Sequence, residues 1–178
     1  VRCFVDENVV HIAGKVDPVS DIEVIHTELA LADLATVEKA AARVSGRSKS
    51  GDKEAIKMAA ALEQVRSHLD AGKPARSLAL DEESAALIRP LCLLTLKPTI
   101  YVANVDERGF ENNPLLDRVI ALAKSEGAPV LPVCASLEAE IADMSGEDKR
   151  MFLADIGLEE PGLDRLIRAA YALLGLQT

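Results

Sequence analysis

Two short stretches of this 178-residue chain carry side chains suited to holding a purine, and a third carries a lone histidine. The first is Asn104-Val105-Asp106-Glu107, directly after an apolar run. The Asn104 amide offers donors and an acceptor, and adenine presents an N7 acceptor beside an N6 donor. A guanine reader needs a carboxylate within reach of the N1 and N2 hydrogens, which GTPases take from the Asp of an N-K-x-D motif. Here Val105 stands in the Lys place and Glu107 in the Asp place. The longer Glu side chain sets its oxygens elsewhere, which tilts the pocket away from guanine, and Val105 can support a base by apolar contact. The second stretch, Cys134-Ala135-Ser136, follows another apolar run and can turn backbone N–H groups toward the same base. Plainer readings stay open: Asn104 as a turn cap, and Cys134–Ser136 as an ordinary strand-to-helix turn. A nucleophilic Cys134 has no neighbouring histidine to activate it.

His11 lies in a loop-like stretch between Val10 and Ile12, where a structural role is the default. His26 and His68 fall on helical patterns, packed or facing solvent. Glu23, Glu28, Asp33 and Glu38 read as a solvated helix face. No G-x-x-x-x-G-K-[ST] motif occurs, so these residues hold no phosphate cradle, no evident Mg²⁺-binding hydroxyl and no metal-ligand spacing.

Three apolar runs must position these groups: Val1–Val5, Ile100–Ala103 and Val130–Cys134. A helical pattern over Leu115–Ala123 separates the last two, the arrangement of a parallel strand-helix-strand crossover. Pro132 assigns the third run to an edge. The ninety-odd residues between the first two runs are helical in pattern. Asp17-Pro18 starts a long helix, Ser45–Asp52 reads as a turn, and Ala55, Met58, Leu62, Val65 and Leu69 form one apolar stripe. Together they predict an antiparallel hairpin. A third helix starts at Asp81-Glu82-Glu83 and runs on to before Lys97-Pro98. Later helices cover 136–144 and 146–156. A last one starts at Glu160-Pro161, with Leu163, Leu166, Ile167, Ala170, Leu173 and Leu174 on its buried side.

Composition narrows the class. Hydrophobic residues make up 49%, aromatics only 3% and Trp is absent, so the core is aliphatic. A net charge of −9 argues against this chain alone gripping naked nucleic acid, because phosphate binding needs a basic footprint. Cys3, Cys92 and Cys134 each lie in apolar runs, as buried free thiols do, and suggest neither disulfides nor zinc. That suits a reducing cytoplasm. The opening in a strand-like run, from Val rather than Met, reads as a fragment of a longer protein.

Several runs are together highly specific. The segment Asp21-Ile22-Glu23-Val24-Ile25-His26-Thr27-Glu28-Leu29-Ala30-Leu31-Ala32-Asp33-Leu34 resembles a hallmark of the Obg-like ATPase family, whose bacterial members are called YchF. So do Leu94–Thr99, Ala103–Glu107, Gly109–Pro114, Gly157–Leu163 and the closing Leu176-Gln177-Thr178. The resemblance covers nearly the whole chain. It implies an α/β fold, the C-terminal half of a Ras-like P-loop NTPase domain, plus an inserted antiparallel α-helical hairpin. On that pattern residues 1–20 are a nucleotide-domain strand and loop, 21–95 the hairpin with flanking helices, and 96–178 the rest of the nucleotide domain. The phosphate loop and a C-terminal TGS domain would lie outside the chain.

By the same resemblance, Asn104, Val105 and Glu107 match an altered base-specificity motif favouring ATP over GTP. Cys134, Ala135 and Ser136 match the loop on the base's other side. His11 falls where the family has a histidine proposed to assist hydrolysis. The implied cofactors are ATP and Mg²⁺, with the Mg²⁺ ligands upstream. The implied partner is the ribosome, in translation or stress response, with slow ATP hydrolysis and no activity in this fragment alone. A different reading makes the hairpin the working surface and nucleotide only its regulator.

Overall fold

A computed structural model describes residues 1–6, 8–9 and 14–176. The described chain divides into two compact units, residues 1–22 with 99–178, and residues 23–98. In chain order the helices are α1 (Pro18–Lys49), α2 (Lys53–Asp70), α3 (Glu82–Ile88), α4 (Pro114–Glu126), α5 (Ala135–Ala142), α6 (Gly146–Asp155) and α7 (Gly162–Leu173). The strands are β1 (Tyr101–Asn104) and β2 (Val130–Val133).

The first unit is an α/β layer, as expected. β1 and β2 pair in parallel, Tyr101 opposite Val130 and Asn104 opposite Val133, with α4 as the crossover. Asn113 caps α4 by accepting from the Leu115 and Leu116 amides. Gly127 closes it in the left-handed conformation at φ 67°. Leu116, Val119 and Ala123 of α4 pack with Tyr101, Ala103, Val105, Cys134 and Leu137 in one aliphatic core. The expected first strand is reduced to a bridge. Arg2 pairs in parallel with Asn104, the Cys3 amide donates to the Asn104 carbonyl at 2.7 Å, and the Asn104 amide donates to the Val1 carbonyl at 2.7 Å. Pro132 lies on β2, whose one strand partner is β1, in keeping with an edge position.

α7 differs from expectation. Leu163, Ile167 and Leu174, assigned to its buried side, are 57%, 48% and 60% exposed. The helix is held at its start instead. The Glu138 carboxylate accepts from the Gly162 and Leu163 amides at 2.6 and 3.1 Å, replacing the cap that Pro161 cannot supply. Arg165 reaches the Pro132 carbonyl at 3.0 Å. Gly162 leaves room for this contact, because an added Cβ would sit 2.8 Å from Glu138 Oε1 and 3.1 Å from Val133 Cγ1 and would push the carboxylate aside.

In the second unit, α1 runs to Lys49, so the expected turn from Ser45 shrinks to the few residues before α2. α1 and α2 share a core of Ala30, Val37, Ala40, Ala61, Leu62, Val65 and Leu69, which Ile88 and Leu93 complete. The third helix stops at Ile88. Pro90 cannot donate a helical hydrogen bond, and two 3₁₀ turns follow, Arg89–Leu91 and Leu94–Leu96.

Two sequence expectations fail in this unit. Cys92 is exposed, not buried, in a left-handed turn at φ 51°. Asp33, assigned to a solvated face, is 2% exposed. Its carboxylate accepts from the Leu94 amide at 2.7 Å, the Thr95 amide at 2.8 Å and the Thr95 hydroxyl at 2.6 Å. Thr95 Oγ1 in turn accepts from the Ala75 amide at 3.0 Å.

Helix starts lean on carboxylates. Asp52 and Asp81 cap α2 and α3, and the Ser20 amide donates to Asp17. Amide donors, first from Ala55, Ser84 and Ser20 respectively, hold all three carboxyls below the usual carboxylate range. A depressed folded-state pKa contributes stability above the unfolded value, near 4, and loses it as pH falls through the folded value. Helicity followed by circular dichroism should therefore hold steady from pH 7 to about 5 and decline below about 4. A profile flat to pH 2 would show that these caps contribute nothing.

Candidate functional site

The carboxyl ends of β1 and β2 lie side by side, where ligands bind in open parallel sheets. Asn104 is the last residue of β1. Its Oδ1 accepts from the Ala135 amide at 3.0 Å, joining positions 31 residues apart. That bond orients the amide. Oδ1 is engaged by the start of α5, and Nδ2 is left to donate to an acceptor such as purine N7.

Around this pair is an open cleft of about 820 Å³, lined by Asn104, Val105, Glu107, Ala135 and Ser136 together with Phe4–Asp6, Asn8 and Arg108. Five of the six base-site residues read from the sequence thus share one hollow. Cys134 does not line it. Its side chain is buried in the core, with Sγ 3.1 Å from Ser136 Oγ. Val105 is 2% exposed, so it offers a base only a sliver of surface. His11, the anticipated catalytic residue, lies outside the described residues.

Among the described residues, Asp6, Asp106 and Glu107 give the cleft three carboxylates against one cation, Arg108. Such a lining suits the neutral base of a nucleotide and repels its phosphates. No group of three or more potential metal ligands occurs among the described residues, so the magnesium implied by the family resemblance has no ligand set here.

Two residues that local pattern could not reveal hold the cleft in shape. The Arg2 guanidinium donates to the carbonyls of Phe4, Asp6 and Val9 at 3.1, 3.2 and 2.9 Å, and it stacks 4.6 Å from the Phe4 ring centre. Asn113 Nδ2 donates to the carbonyls of Cys3 and Gly109 at 2.8 and 3.0 Å. Gly109 fits this turn because an added Cβ would lie 2.7 Å from Asp106 Oδ1. A neighbouring hollow of about 970 Å³, lined by Arg2, Lys15, Glu111 and Asn112 among others, contains none of the six base-site residues.

Comparison with known proteins bears on the family of the chain. No protein-family model matches the chain. Over all 178 residues it is 54% identical to the ribosome-binding ATPase YchF of Haemophilus influenzae and spans 49% of that protein. It is equally 54% identical to the protein of that name from Escherichia coli O157:H7, spanning 49% of it. With the Bacillus subtilis protein it shares 46% over 181 residues, 50% of that protein's length. Among solved structures, the Schizosaccharomyces pombe YchF GTPase matches with a TM-score of 0.83 at 27% identity, over 98% of this chain and 48% of that one. The chain therefore spans about half the length of the curated relatives it matches.

The fold is that of the Ras-like P-loop NTPase class, α/β with an inserted helical hairpin. Within that class, the chain belongs to the Obg-like ATPase (YchF) family.

Proposed function

We propose that this chain supplies the base-reading side of an ATP-binding, slowly ATP-hydrolysing switch protein that uses Mg²⁺ and docks to the ribosome in the cytoplasm. The observation that carries the nucleotide part is the Asn104 Oδ1 bond to the Ala135 amide, which frees Nδ2 for a purine at the strand ends. The names of the relatives, ribosome-binding ATPases, support the reaction and the partner. Without a phosphate-loop motif in its 178 residues, the chain alone would not turn over ATP.

N7 belongs to both purines, so Asn104 reads a purine without choosing between them. The choice falls to Glu107 and to the backbone at Ala135–Ser136. The solved relative is titled a GTPase, which makes base choice the decisive measurement. Calorimetry on a longer protein that joins this chain to its phosphate loop should show ATP bound more tightly than GTP. A GTP preference would overturn the base assignment.

His11 has the role of orienting the attacking water. Replacing it by Ala should lower turnover by about 10²-fold or more while leaving ATP affinity nearly unchanged, the split expected when a group acts only in the transition state. Unchanged turnover in single-turnover assays would remove His11 from the reaction.

A further inference from the structure

The turn from β2 into α5 borders the cleft, and its own cap does not fix it. Cys134 stands at the N-cap of α5, where its side chain makes no capping hydrogen bond. Its thiol lies in the core beside Ser136 Oγ. A helix start without its own cap must take its partners from elsewhere. The Ala135 amide finds Asn104 Oδ1, the bond that leaves Asn104 Nδ2 to face a purine.

The first turn of α7 grips the chain on both sides of that bond. Before it, Arg165 donates to the Pro132 carbonyl of β2 at 3.0 Å. After it, Glu138 of α5 accepts from the Gly162 and Leu163 amides at 2.6 and 3.1 Å. The Glu138 amide also makes the first bond of α5, to the Cys134 carbonyl at 3.0 Å. Pro132 and Glu138 thus stand equally far to either side of Ala135. A carboxylate held by the free amides of a helix start is charge-assisted and favoured by the helix dipole, so this anchor is a strong one.

Capping α7 does not account for both contacts. The Arg165 bond is no part of the cap, and it leaves Arg165 Nε buried with no hydrogen-bond partner among the described residues. An unpaired buried donor is costly. What the cost comes with is a fixed end of β2, just ahead of the cleft. Leu163, Ile167 and Leu174 leave the apolar side of α7 exposed, and it is the first turn of the helix that makes these hydrogen bonds to β2 and α5.

We propose that Glu138 and Arg165 are positioning residues for the base site, an inference that rests on the purine reading of the cleft. Held from both sides by α7, the Cys134–Ser136 turn keeps its Ala135 amide within reach of Asn104. Oδ1 then stays occupied, and Nδ2 keeps its aim. Neither Glu138 nor Arg165 lines the cleft, so both act through Ala135.

Calorimetry on a longer protein that joins this chain to its phosphate loop tests this, with ATP and tripolyphosphate as the two ligands. Tripolyphosphate has no base, so the ratio of the two affinities reads the base site. Glu138→Ala should weaken ATP about fivefold to tenfold and leave tripolyphosphate unchanged. Gly162→Ala should do the same without removing a polar group, because its Cβ would stand 2.8 Å from Glu138 Oε1. It keeps the test open should Glu138→Ala fail to fold. Arg165→Met keeps the apolar stem and should lower the ratio in the same direction. Glu138→Gln retains an oxygen for the Gly162 amide and should bring the ratio to within about twofold of the parent. A residue that merely held the fold together would weaken both ligands alike. Equal loss of ATP and tripolyphosphate, or an unchanged ratio in Gly162→Ala and Glu138→Ala, would overturn the proposal and leave the purine reading intact. A parent that binds ATP no better than tripolyphosphate would overturn the purine reading itself, and this role with it.

Discussion

Replacing Asp33 by Ala should destabilise the helical unit by about 3–5 kcal/mol, lowering its thermal midpoint by about 12 °C or more. Asp33 is almost wholly buried, and its carboxylate accepts three hydrogen bonds from Leu94 and Thr95. Hydrogen bonds to a charged acceptor contribute about 1.5–3 kcal/mol each, and buried donors left unpaired cost about 1–3 kcal/mol. Water entering the space recovers part of that, which keeps the sum below the arithmetic total. Thr95→Val should cost less, about 1–2 kcal/mol, because it removes one donor to Asp33 and the acceptor of the Ala75 amide. The two substitutions share a partner, so the double variant should lose less than the sum of the singles. Thermal unfolding followed by circular dichroism reads all three. A midpoint within about 2 °C of wild type for Asp33→Ala would show that the carboxylate does not hold the 3₁₀ turn onto α1.

Replacing Asn104 by Asp should weaken ATP binding about tenfold to a hundredfold in a longer protein that includes the phosphate loop, with little change in thermal midpoint. The two side chains have nearly the same shape. Asp keeps an oxygen to accept from the Ala135 amide, so the link between β1 and α5 survives. It lacks the Nδ2 donor, and its charge faces the N7 lone pair. Asn104→Ala provides the contrast, since it removes both interactions and should lower affinity and stability together. Calorimetry and thermal unfolding on the same samples separate the roles. Unchanged ATP affinity in Asn104→Asp would mean that Asn104 only ties the two strand ends together.

The sequence was most legible where short-range chemistry decides structure. The parallel crossover could be read because two apolar runs flank a helical pattern of the right length, Leu115–Ala123. Asn104 and Ala135–Ser136 could be placed near each other because both follow strands of one parallel sheet. Long-range partnership was not legible. Nothing near Asp33 signals that it will meet Thr95 from 62 positions away, and by helical pattern it looked solvated. Nothing near Asn113 signals that it will donate to Cys3, 110 residues distant. The apolar face of α7 has the right spacing for burial. Burial also needs something to cover it, and among the described residues Leu163, Ile167 and Leu174 remain exposed. Cys134 was correctly put at the strand end, but the alternation of a strand leading into a helix turns its thiol to the core, where Ala135 and Ser136 turn to the cleft.

The grip of Arg2 on Phe4, Asp6 and Val9 also divides the molecule by how it responds to protons. Helices α2 and α3 begin on carboxylates that titrate, and they share the fate of those groups in acid. This wall of the cleft hangs on a guanidinium that stays charged at any pH a protein meets, and the Asn104 amide opposite has no proton to gain or lose. As the medium acidifies, the caps of α2 and α3 let go before these ties do, so the purine cleft of one unit keeps its inner fastenings while helix starts of the other unit begin to fray.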